Sequence, residues 1–173
     1  MPTVQQFATH TPIWVWAILA FLLWRGIDAL KPSKTSLARL AVVPAIFTVW
    51  GLYSLHNRYG ASIEAWALWL VGIAIGAGIG WLLVRRQAIS VDPDNGHLHR
   101  SADYSLLPLL LLTFIVKYAF EAALATHPAF ADDTVFRIAH LVVSGGFTGV
   151  FIGKFVHYLR VASLSRRTLV EAG

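Results

Sequence analysis

The chain has 173 residues, of which 57% are hydrophobic and only 13% charged, with a mean hydropathy of +0.62. Soluble domains carry roughly a quarter of charged residues, so this composition points to a membrane protein. The absence of cysteine excludes disulfides, thiolate metal sites, iron–sulfur clusters and covalently attached haem. The net charge of +5 would suggest nucleic acid in a soluble protein, but here the basic residues sit at the ends of apolar runs. They act as topology signals, and no nucleic-acid partner is expected.

The first nine residues carry no Lys or Arg, so the basic region of a cleavable signal peptide is missing and the first helix is expected to stay. That helix is predicted over 13–30. His10-Thr11-Pro12 opens it, with Thr11 as cap and Pro12 in the first turn. Trp14, Trp16 and Trp24 suit the interfaces, and Arg25 with Asp28 forms a snorkelling pair at the far end. Lys31-Pro32-Ser33-Lys34 reads as a linker to a second span over 37–55, in which Pro44 can introduce a kink. A third span over 63–84 ends in Arg85-Arg86. These runs match the ~20 residues that cross a ~30 Å hydrocarbon core.

Residues 87–104 form the one substantial polar connection. Ile89 and Val91 alternate with polar residues before the Asp94-Asn95-Gly96 turn signal, which predicts a short β-hairpin. His97 and His99 share a strand face there, and a solvated loop is the plain reading of them. The fourth span, 105–126, carries Lys117 and Glu121 inside its apolar run. The fifth, 135–159, leads into a basic tail with Arg160, Arg166 and Arg167. The expectation is an all-α, five-span bundle forming a single integral membrane domain over 1–173. The connections after spans one and three, together with the tail, hold most of the Lys and Arg, so the N-terminus is expected outside and the C-terminus in the cytoplasm. The hairpin then lies on the cytoplasmic side.

Two glycine ladders stand out. Gly72, Gly76 and Gly80 recur every four residues in span three, and Gly145, Gly149 and Gly153 do so in span five. Small residues let membrane helices approach closely, so these ladders are expected to be helix-packing faces. They can pack on each other or each on a different neighbour, a second copy or another membrane protein included. Beyond these the lipid bilayer is the expected partner.

The candidate polar site is intramembrane. Lys117 and Glu121 lie one turn apart on one helix face. Spans four and five are antiparallel across a short connection, so Arg137 and His140 are expected near the same level. Charges inside a bilayer are costly and face a bundle interior. The cluster reads either as an ion, proton or small-solute route or as a structural clamp. His10, His56 and His127 fall at span ends and His140 lies deeper; they are the candidates for a divalent metal or haem b, although no H-x-x-x-H or E-x-x-H spacing occurs. No nucleophile elbow, phosphate loop, zinc-protease helix or cysteine nucleophile is present, so no catalytic residue is assigned.

His10-Thr11-Pro12-Ile13-Trp14-Val15-Trp16, the turn from Val91-Asp92 to Gly96 and the pair Lys117-Tyr118 resemble a family of small bacterial integral membrane proteins classed as a domain of unknown function. Ser101-Ala102-Asp103 stands where that family's pattern has Pro-Gly-Ser, which leaves a tight turn there open. The resemblance implies a bacterial inner-membrane location and several spans, and it supplies no activity.

Overall fold

The computed structural model describes residues 13–31, 33–87, 89–91, 98–100 and 102–171. Among these are five α-helices and three short strands: α1 (Ile13–Asp28), β1 (Ser33–Thr35), α2 (Leu37–Tyr59), α3 (Ile63–Val84), β2 (Ile89–Val91), β3 (Leu98–Arg100), α4 (Leu106–Thr126) and α5 (Thr134–Glu171). A 3-10 turn, Pro128–Ala131, precedes α5. The helices gather into two compact units, residues 1–31 with 102–132 and residues 32–101 with 133–173.

In the first unit α1 packs on α4. Gly26 makes the close approach possible, because a Cβ there would stand 2.7 Å from Leu107 Cδ1. Leu22 and Ala29 are buried, as are Leu110 and Thr113 of α4. The chain enters α4 through Asp103, whose buried carboxylate accepts from the Ser105 backbone N–H at 3.1 Å and from the Ser105 hydroxyl at 2.7 Å. Its own N–H donates to the Ala29 carbonyl at 2.8 Å. A tight turn thus forms without proline or glycine at 102–103, because an aspartate side chain can replace the backbone acceptor.

The second unit contains α2, α3, α5 and the strands. Ser36 and Ser62 cap α2 and α3 by accepting from the N–H groups of Arg39 and Ala65. Gly60 ends α2 at φ +56°, a backbone conformation that glycine adopts without steric cost. α2 runs unbroken through Pro44, and the Thr48 hydroxyl donates to the Pro44 carbonyl at 2.7 Å. α2 and α5 meet through Phe47 and Phe151, stacked with centroids 4.5 Å apart. Leu55, Ala65, Trp69 and Leu141 form the core near the start of α3.

β2 and β3 pair antiparallel, Ile89 opposite Arg100 and Val91 opposite Leu98. The turn expected at Asp94-Asn95-Gly96, with His97, lies outside the described residues. β1 joins the other edge of β3, Ser33 opposite Arg100 and Thr35 opposite Leu98, where a plain linker was expected. Three residues are too few to show an alternating pattern. The sheet places the segment before α2 and the segment after α3 at one end of the unit.

Among the described residues four helical stretches are long and apolar enough to cross a membrane: Leu37–Tyr59, Ile63–Val84, Leu106–Thr126 and Thr134–Ser165. Against the five expected spans, α1 has 16 described residues, about 24 Å at 1.5 Å per residue. The last helix also corrects the sequence reading. It continues to Glu171 instead of ending near Leu159, because Arg, Ser, Ala and Leu beyond the apolar run still favour helix and no glycine or proline stops it.

Candidate functional site

α3 and α5 touch backbone to backbone along the two ladders. A Cβ on Gly72 would fall on the Val142 carbonyl oxygen, one on Gly76 on that of Gly146, and one on Gly80 on that of Val150. Reciprocally, a Cβ on Gly145, Gly149 or Gly153 would fall on the carbonyl oxygen of Trp69, Ile73 or Ala77. Both rows advance in the same direction, so the helices run parallel, and each ladder seats on the other helix's carbonyls. At such approach Cα–H groups face carbonyl oxygens, a weak attraction that repeats along the seam. Gly146 belongs to the seam as well, unnoticed in the sequence because it falls between the four-residue steps.

At the end where α3 begins, Arg137 of α5 pairs with Glu64 of α3 at 3.4 Å. One turn on, His140 Nδ1 lies 3.3 Å from the Tyr59 hydroxyl of α2. The Trp66 indole N–H donates to the Gly60 carbonyl at 3.0 Å. These contacts tie the ends of α2, α3 and α5 together. Of the four residues expected to cluster, Arg137 and His140 thus belong to the second unit and Lys117 and Glu121 to the first. Within α4 the Glu121 carboxylate acts electrostatically on the Lys117 ammonium. Lys117 is half-buried and Glu121 exposed.

At the opposite end the small residues give way to large polar ones. One step past Gly153 and Ala77 the same row brings His157 edge-on to Trp81, ring centroids 5.0 Å apart at 87°. His157 is 9% exposed, and its Nδ1 has no hydrogen-bond partner among the described residues. The Arg160 guanidinium lies over the Trp81 ring at 5.3 Å, a cation–π contact. The Tyr158 hydroxyl donates to Gln87 Oε1 at 2.9 Å. Lys154, 4% exposed, sits beside Gly153 within the candidate span. Sequence reasoning passed over Lys154 and His157; a lone lysine inside an apolar run was the available signal, the same one that marked Lys117.

The histidines considered as ligands are dispersed. His56 is exposed on α2, His127 Nδ1 lies 3.0 Å from Thr126 Oγ1, and His140 meets Tyr59. His10 lies outside the described residues. Among the described residues no three His, Asp or Glu side chains come together as metal ligands.

Compared with known families, residues 3–168 match a family of unknown function, DUF6622. No curated protein and no solved structure matches.

Proposed function

This chain belongs to the family of unknown function DUF6622, and we propose that it is a non-enzymatic scaffold or accessory protein of a bacterial inner membrane. In this reading it crosses the membrane five times, N-terminus outside and C-terminus in the cytoplasm. The four apolar helices support membrane insertion. Arg25 and Trp24 stand near the end of α1, where snorkelling and interfacial aromatics anchor a span. Lys34 and Arg100 lie in the sheet, and Arg85 and Arg86 just before it. Their excess over Arg58 and Arg137 at the other end supports the orientation.

The observation that carries the scaffold reading is the reciprocal seating of the glycines on facing carbonyls. Alternating access moves one helix group against another, and a seam closed backbone to backbone offers no sliding surface. Because each ladder seats on the other, a partner subunit would meet the outward faces of the helices.

A carrier reading keeps one observation in its favour, the Lys117–Glu121 pair within the apolar α4. Reconstitution into liposomes separates the two. The scaffold predicts no proton or ion flux above that of empty vesicles; a flux that Lys117→Leu abolishes would replace it with the carrier. A cysteine placed at Ala61 should react with a membrane-impermeant reagent from outside the cell, and one at Gly173 should not.

A further inference from the structure

Beside the α3–α5 seam runs an open apolar groove of about 200 Å³. Gly72, Gly76 and Gly146 line its floor, and Ile75, Ile79 and Phe147 stand among its walls. On α5 it extends from Val142 to Val150, about 12 Å at the helical rise. The volume falls below the ~300 Å³ at which compact small-molecule pockets begin. A groove this narrow, long and free of polar groups fits a thin hydrocarbon chain.

The groove's own lining is apolar, and two cations follow it along α3. Ile75, Ile79 and Leu82 succeed one another at four- and three-residue steps, one stripe of α3. Arg85 still has helical angles, φ −59° and ψ −22°, so Arg86 continues that stripe roughly two turns beyond Ile79. Arg85 and Arg86 are both exposed. An apolar slot lying along a membrane-crossing helix and leading to two exposed guanidiniums is complementary to one amphiphile, a lipid with a hydrocarbon tail and an anionic head. Basic pockets between membrane helices on the cytoplasmic side bind such heads, and guanidinium matches phosphate in a bidentate fork.

We infer that this groove holds one acyl chain of an anionic phospholipid whose phosphate lies against Arg86 and Arg85. The inference rests on the reading that α3 and α5 cross a membrane, and it adds the ligand that the scaffold carries.

The test is native mass spectrometry of the full chain released from nanodiscs and titrated with phosphatidylglycerol, with phosphatidylcholine of the same acyl chains, or with inorganic phosphate. Each guanidinium near a membrane surface favours an anionic lipid about fivefold. Phosphatidylglycerol should therefore bind more tightly than phosphatidylcholine by about twenty-fivefold, and inorganic phosphate should give no retained adduct. Ile79→Trp, which fills the groove, should remove the retained lipid, and Arg86→Ala should cut the preference for phosphatidylglycerol about fivefold. Val49→Trp, on the exposed face of α2, should change neither and shows that an added indole is harmless. Equal binding of the two lipids, or retention undiminished by Ile79→Trp, overturns the proposal. A dimer that Ile79→Trp dissolves without lipid selectivity would assign the groove to a second copy and overturn it too. A chain that never enters nanodiscs would instead remove the membrane reading beneath it.

Discussion

The carbonyl oxygen of Gly146 on α5 occupies the place that a Cβ on Gly76 of α3 would need. The obstacle is backbone on a rigid helix, so it has no side-chain torsion through which to yield. Gly76→Ala should therefore separate the helices or strain them, and overpacking of this kind costs about 1–3 kcal/mol. Gly78, two residues on, faces open space. There the same substitution should leave stability unchanged or raise it by up to about 1 kcal/mol through helix propensity. Thermal unfolding in a mild detergent compares the two directly, and equal behaviour would show that the seam does not hold the unit together.

The seam was legible because its cause is local: a four-residue repeat of glycine places every missing side chain on one face. What the repeat could not give was the facing element, since two ladders satisfy the pattern equally well on each other or on other helices. The partner of Arg137 was not legible for a related reason. Glu64 opens α3 and pairs with Arg137, a choice of partner made by tertiary contact, which sequence spacing does not encode. β1 and the length of α5 were missed because hydropathy reports where apolar segments stop, not where backbone order stops.

The Glu64–Arg137 pair links α3 to α5, yet its side chains are 63% and 33% exposed. Pairs so open to their surroundings couple by less than about 1 kcal/mol. A double-mutant cycle of Glu64→Gln and Arg137→Gln, read by thermal unfolding, should stay below that. A larger coupling would mean that this end of the unit is dry.

Lys154 lies within the apolar part of α5 and is nearly inaccessible, whereas Lys31 is exposed at the end of the α1 turn. An impermeant amine reagent applied to purified protein in detergent should modify Lys31 and spare Lys154 until the chain is unfolded. Lys154→Ala should destabilise by about 2–5 kcal/mol, because truncating a large buried side chain leaves a cavity in the packing. Rapid labelling of Lys154 in the folded protein would contradict the burial on which both expectations depend.

Lys117 and Glu121 provide the corresponding test in α4, where the outcome also reports on the solvent around the helix. Glu121 acts on Lys117 across one turn, and Glu121 is exposed at the helix surface. If that surface meets hydrocarbon, removing one charge leaves the other unbalanced, a cost of about 2.5–3.5 kcal/mol at mid-membrane depth. Glu121→Leu alone should therefore lower thermal stability in detergent. Adding Lys117→Leu should restore it, because replacing both members of an apolar-embedded pair is often neutral. A double variant as unstable as the single one would mean that Lys117 is needed for contacts other than Glu121. Single changes without effect would place both side chains in water or among headgroups, and α4 would then cross the membrane with its charges at an interface instead of within the span.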